Sequence, residues 1–178
     1  MSGSDSSFDE IIREKIFIFH GPVTVLDIGP GSGKMGRLVK EANAKNRVVG
    51  IEIYPGYAAG LEEFGYDEVI IGSASKLLDP PLVDRKWDAV IFGDVIEHMP
   101  HSLGADLLDC LCIRSKKIFV KYPVHDSTHN LYQAGDNSIG SEAHRSIWCE
   151  ADFAKFDHQL LVSESNTAMR LAIIKGYA

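Results

Sequence analysis

Along this chain, short apolar runs alternate with stretches in which apolar residues recur every three or four positions. Phe8, Ile11, Ile12 and Phe19 fall at helical spacing, which predicts an amphipathic helix over residues 8 to 19. Val23 to Ile28 is a compact apolar run and reads as a strand. From Gly33 onward Met35, Leu38, Val39 and Ala42 repeat at i, i+3, i+4 and i+7, the pattern of a helix lying on a sheet. Arg47 to Ile51 predicts a second strand, residues 54 to 64 a short helix, Asp67 to Gly72 a third strand and Trp87 to Gly93 a fourth. Leu103, Leu107, Leu108 and Leu111 mark a further helix, and Lys117 to Tyr122 a fifth strand. Two strand-like runs, around residues 159 to 162 and 169 to 175, complete the pattern.

Strands separated by helical stretches imply βαβ units and a mostly parallel sheet with helices on both faces, a doubly wound α/β fold. The runs ending at Ile28, Ile51, Gly72 and Gly93 are apolar throughout, as expected of strands buried on both faces. The last two runs follow each other with no helix between them and are expected to form an antiparallel pair at one edge. No repeat, low-complexity tract or linker divides the 178 residues, so a single domain over 1–178 is expected. Within it, residues 1–20 are the N-terminal tail and helix. Ligands in such sheets bind beyond the carboxyl ends of the strands.

Composition narrows the function classes only a little. The formal charge of -7, with no run of Lys or Arg, argues against a nucleic-acid partner. Cys110, Cys112 and Cys149 form neither a CxxC pair nor a disulfide-dense pattern, and fit a reducing, cytoplasmic setting. No apolar run approaches the ~18 residues of a membrane helix, and the polar start lacks the order of a signal peptide. No membrane partner is expected, and oligomeric state cannot be read.

The chemistry concentrates at Val25-Leu-Asp-Ile-Gly-Pro-Gly-Ser-Gly33, a strand running into a glycine-rich turn. A nucleoside-triphosphate loop needs a glycine five residues before Gly33-Lys34 and a hydroxyl residue after it; Ile28 and Met35 stand there instead. The dinucleotide pattern does occur, as Gly31-Ser-Gly33-Lys-Met-Gly36. Asp27, however, lies two residues before the first glycine, where a carboxylate would repel a pyrophosphate at a helix N-terminus. An acid there suits a ligand carrying a cationic group. Glu52, at the end of the second strand and ~20 residues downstream, is placed to accept from ribose hydroxyls.

Four segments in order resemble the class I S-adenosylmethionine-dependent methyltransferases. The first is the glycine turn just described. Gly50-Ile-Glu52-Ile53 is similar to the second motif, Ile71-Gly-Ser-Ala74 to the third, and Trp87-Asp-Ala-Val-Ile-Phe-Gly-Asp-Val-Ile-Glu-His-Met-Pro100 to the fourth strand and its Glu-His sequel. The resemblance implies a Rossmann-like methyltransferase fold of seven strands that binds S-adenosyl-L-methionine. It implies that Asp27, Gly29, Pro30, Gly31 and Gly33 face the methionine part of the cofactor. Glu52 would hold the ribose, Ile53 would pack on the adenine, Ser73 and Ala74 would border its edge, and Asp94 and Val95 would sit beside the sulfonium. Ser73 departs from the acid more usual at its position, so weaker adenine discrimination is expected. Asp27 also has a purely structural reading, holding its own turn, and Glu97 and His98 fit the start of a helix.

Methyl transfer from a sulfonium is an in-line displacement on an activated carbon, so positioning supplies much of the acceleration. A base is needed only where the acceptor must lose a proton. Candidates lie in the stretch after the fifth strand, which reads as a lid loop over residues 123–150 and holds His125, His129, His144, Tyr132 and Trp148, with Tyr122 immediately before it. His125 and His144 are the candidate bases. A metal is not expected: His125-Asp-Ser-Thr-His129 would present both histidines on one face only if helical, which Pro123 and Ser127-Thr128 disfavour. The tetrapeptide of enzymes that methylate nucleobase or glutamine amines is absent after the fourth strand, where Gly93-Asp-Val-Ile stands. A small-molecule acceptor is therefore expected, with a protein side chain, a non-catalytic binding module and a nicotinamide-dependent oxidoreductase as lesser alternatives.

Overall fold

The computed structural model describes residues 5–124 and 144–178. Seven strands form one sheet: β1 (Thr24–Ile28), β2 (Arg47–Glu52), β3 (Glu68–Ile71), β4 (Trp87–Gly93), β5 (Ser115–Pro123), β6 (His158–Val162) and β7 (Met169–Lys175). Their spatial order is β3-β2-β1-β4-β5-β7-β6. The first five pair in parallel, whereas β7 runs antiparallel between β5 and β6. Among the described residues four helices accompany them: α1 (Asp9–Phe17), α2 (Lys34–Ala42), the single turn α3 (Pro55–Ala58) and α4 (His101–Cys112).

Alternation along the strands divides the core in two. Leu26, Ile28, Val49, Ile51, Val90, Phe92, Ile118 and Val120 face α4 through Leu107, Leu108 and Leu111. Val25, Val48, Ala89, Ile91 and Phe119 face the other way, against Ile12 and Ile16 of α1 and Met35 and Val39 of α2. Both faces of β1, β2 and β4 are thus covered, which explains their continuous apolar sequences. The expected antiparallel C-terminal pair is present, with β7 as its inner member.

Two expectations need correction. The run at 67–72 is an edge strand, half-exposed along its length, with no neighbour beyond it among the described residues. Its β-branched residues satisfy pleated backbone geometry even where only one face is covered. The helix expected over residues 54 to 64 is two short turns, α3 and a 3₁₀ turn at Leu61–Phe64. Gly60 between them has φ of +90°, a left-handed conformation that ends one turn before the next begins. The crossover from β3 to β4 carries only 3₁₀ turns, at Ala74–Leu78 and Leu82–Asp84.

Register places the site. Ile28 pairs with Ile51 on one side and Phe92 on the other, so β1, β2 and β4 end level with one another. Gly29, Glu52 and Asp94 emerge together at that carboxyl rim. Because β2 lies on one side of β1 and β4 on the other, the order of strand addition reverses here, as in other doubly wound sheets that bind ligands at this point.

Candidate active site

A cleft of about 410 Å³ opens at the carboxyl rim, within the usual size range for small-ligand sites. Gly29, Gly31, Glu52, Ile53, Ser73, Ala74, Asp94 and Val95 all line it. Eight of the positions singled out in the sequence are therefore gathered around one cavity. Tyr54, Tyr57, His98, Met99, Leu103 and Arg145 complete much of the wall.

The glycine turn is held by its neighbours on both sides. The Gly29 N–H donates to the Ile51 carbonyl at 2.9 Å, continuing the β1–β2 ladder past the end of β1. Gly29 has φ of +68°, and a Cβ there would lie 2.6 Å from Val95 Cγ2. Only glycine lets the β1 and β4 loops approach so closely. Glu52 is buried, and its carboxylate accepts from the Gly31 N–H at 3.1 Å and the Tyr54 N–H at 2.8 Å. An ionised carboxylate offers about four lone-pair sites, so two remain for a ligand hydroxyl. Beyond it Ile53 and Tyr54 stay largely exposed, and Tyr54 meets Tyr57 edge-on at 5.1 Å. That is an apolar wall beside a hydrogen-bonding floor. Ser73 caps the next turn by accepting from the Ser75 N–H at 3.2 Å.

Asp27 occupies a different place. It is fully buried and accepts a hydrogen bond from the Tyr66 hydroxyl, which in turn accepts from the Gly36 N–H at 3.1 Å. Burial pushes its carboxyl up to about 7, and burial together with Asp27 holds the Tyr66 phenol well above its usual range. Asp27, Pro30 and Gly33 are absent from the cleft lining. Asp27 therefore braces the turn from beneath. Tyr66 is a residue that sequence reasoning missed, yet Gly36 is its signal: a Cβ there would lie 2.3 Å from Tyr66 Cε2. The third glycine of the apparent dinucleotide pattern makes room for this ring.

On the β4 side the site is built from charges and distant segments. Asp94 has φ of +57°, uncommon for a residue with a side chain. It is held by Lys121, fully buried on β5, at 2.9 Å, and by the Asp5 N–H at 2.9 Å. Lys34 on α2 reaches the Asp5 carbonyl at 2.9 Å and Asp9 at 2.9 Å, fastening the N-terminal segment to this corner. The 3₁₀ turn Ile96–His98 follows. The Glu97 carbonyl accepts from the N–H groups of Arg145 at 2.7 Å and Ser146 at 3.1 Å. Ser146 then donates to the Met99 carbonyl at 2.9 Å and accepts from Trp148 Nε1 at 2.9 Å. Trp148 is buried, stacked on His101 at 4.3 Å and seated over Gly104, where a Cβ would lie 2.5 Å from Trp148 Cζ2. This anchorage fixes His144 beside His98, the rings edge-on at 5.0 Å.

Of the two candidate bases, His144 thus lies next to the cleft, and His125 lies outside the described residues, as do His129 and Tyr132. Tyr122 and Trp148, flagged in the same stretch, are core residues. Glu97 is buried, and desolvation followed by the negative charge of Asp94 pushes its carboxyl up to about 8. Glu97 and His98 sit in the 3₁₀ turn that precedes α4 and are not part of the helix itself. Among the described residues, Glu97, His98 and His144 also form a group whose ligating atoms all lie within 4.8 Å of one another.

Comparison with known proteins agrees with the motif order. Residues 26–111 match a family described as a methyltransferase domain. No curated protein is a significant match in sequence. Among solved structures, the PH0226 protein of Pyrococcus horikoshii is similar at 14% identity and a TM-score of 0.68, over 96% of this chain and 88% of that one. The magnesium protoporphyrin IX methyltransferase of Synechocystis, solved with bound S-adenosylmethionine, gives 14% identity and a TM-score of 0.68, over 96% and 79%. The mitomycin 7-O-methyltransferase MmcR gives 17% and 0.60, over 96% of this chain and 54% of that one. With its motifs in order and its strand order reproduced, the chain has the fold of these methyltransferases, and residues 26–111 carry the methyltransferase-domain match.

Proposed function

We propose that this protein, acting as one methyltransferase domain over 1–178, moves the methyl group of S-adenosylmethionine to a small-molecule acceptor bound at the His98 side of the cleft. The observation that carries this reading is the asymmetry of the cavity. One half offers Glu52 with spare acceptor capacity and an apolar wall at Ile53 and Tyr54. That combination suits a ribose and a flat heteroaromatic ring. Beyond Asp94 and Val95 the other half offers His98 and Arg145, polar groups that suit an acceptor with its own hydrogen-bonding atoms.

In this reading Gly29, Gly31, Glu52, Ile53, Ser73, Ala74, Asp94 and Val95 hold the cofactor, while Asp27, Pro30 and Gly33 support the turn from behind. His144 removes the acceptor proton where the accepting atom carries one. The cavity size and the acidic overall charge support a small acceptor over a nucleic acid. The three free cysteines support a cytoplasmic setting. Among the described residues no helix is long and apolar enough to cross a membrane.

Calorimetric titration is the first test: S-adenosylhomocysteine should bind and NADH should not. Incubation with methyl-labelled cofactor and a metabolite extract should then place label in the low-molecular-weight fraction. NADH binding without S-adenosylhomocysteine binding would overturn the cofactor assignment. Label confined to macromolecules would overturn the acceptor class.

A further inference from the structure

We propose that Glu97, His98 and His144 form a binding site for a divalent first-row metal ion at the acceptor end of the cleft. Two observations meet here. The ligating atoms of one carboxylate and two imidazoles all lie within 4.8 Å of one another. Tetrahedral coordination at ~2.0–2.2 Å from each would hold them roughly 3.3–3.6 Å apart, which a closing movement of the side chains by about an ångström reaches. Separately, Glu97 is 3% exposed, and among the described residues its Oε2 is buried with no hydrogen-bond donor. Buried carboxylate oxygens are nearly always satisfied, and leaving one unmet is costly. A cation supplies the missing partner.

The frame around the three residues has the rigidity that such a site needs. Glu97 and His98 share one 3₁₀ turn, and the Glu97 carbonyl takes both N–H groups that follow His144. Ser146 and Trp148 fix that segment in turn. Two imidazoles and one carboxylate suit first-row divalent ions, and three protein ligands leave coordination positions open. His98 lines the cleft together with Asp94 and Val95, so the site borders that space.

The consequence for chemistry, which rests on the methyltransferase reading, is an acceptor with an oxygen nucleophile. The ion holds a hydroxyl oxygen of the acceptor and favours loss of its proton, which passes to solvent, so that with the ion bound His144 serves as a ligand in place of its role as base. An oxygen electron pair then forms the bond to the methyl carbon. The sulfur–methyl bond breaks, its electron pair returns to sulfur, and the sulfonium becomes a neutral thioether.

Co²⁺ is the probe, followed by calorimetry and visible absorbance on the full chain after chelator treatment, with S-adenosylhomocysteine binding measured on the same preparations. The inference requires one saturable Co²⁺ site per chain. Glu97→Gln, His98→Ala and His144→Ala should each weaken it by at least about tenfold. Glu97→Gln and His144→Ala should keep S-adenosylhomocysteine affinity within about threefold, which separates a lost ligand from a lost fold. Protein that binds S-adenosylhomocysteine but shows no saturable Co²⁺ binding to ~1 mM overturns the metal site alone. Co²⁺ binding that survives all three substitutions does the same. Co²⁺ binding that the substitutions abolish, in protein that ignores S-adenosylhomocysteine, keeps the metal site and removes the cofactor reading.

Discussion

The two halves of the cleft are held together in different ways. On the β1–β2 side the walls are backbone ladders and one short-range carboxylate: Gly29 to Ile51, and Glu52 to Gly31 and Tyr54. Every member lies within or directly beside a contiguous motif. On the β4 side the corresponding bonds cross the chain, from Asp94 to Lys121 and Asp5 and from Glu97 to Arg145 and Ser146. The first half is rigid because strands end level with one another. The second is rigid only because buried charges and one tryptophan hold separate segments in place. Binding of a constant cofactor needs the former, and a variable acceptor can be served by changing the latter.

The largest effect that this comparison predicts falls on the first half. Gly29→Val forces a branched side chain into a left-handed conformation and against Val95, so S-adenosylhomocysteine affinity should drop at least about a hundredfold by calorimetry. Retained affinity would mean that the turn is not the rigid element described. An intermediate effect is expected beneath the turn. Tyr66→Phe leaves Asp27 and the Gly36 N–H without their buried partner, and should cost about 1–3 kcal/mol in urea unfolding. Cofactor affinity should stay within about threefold, because neither Tyr66 nor Asp27 lines the cleft. A parallel loss of affinity would return Asp27 to direct ligand contact.

A further effect is a slope. Burial raises the Asp27 carboxyl from 3.8 to about 7 on folding, so the folded protein holds this proton more tightly than the unfolded chain. Its stabilising contribution is complete below about pH 4 and is lost as pH rises through about 7. Asp27→Asn removes that dependence. The stability difference between wild type and variant, read from urea melts, should therefore shift in favour of the variant between pH 4 and 7. A constant difference would show that Asp27 is ionised throughout, held by Tyr66.

How much of this was readable beforehand follows the same division. Helical and strand periods located all seven strands and three of the helices, and failed where a single glycine intervened, at Gly60. The edge position of β3 was hidden because β-branched residues satisfy a half-covered strand as well as a buried one. Asp27 was legible as a turn acid, but its partner Tyr66 lies beyond β2 and carries no local signature except the glycine that it needs. His144 was flagged as a titratable residue in a long connection, and Glu97 and His98 as a helix start.

The sequence by itself determined the strands, their mostly parallel arrangement with an antiparallel C-terminal pair, and the glycine turn, because these follow from periodicity, from the presence or absence of intervening helices and from backbone conformations that few residues allow. Only the tertiary structure decided that Asp27 faces inward, that Asp94 is clamped by a buried lysine, and that Glu97 and His98 meet His144. Those contacts join positions far apart in the chain, and their geometry is set by how α4, β5 and Trp148 pack. No local pattern of residues encodes a distance across the core.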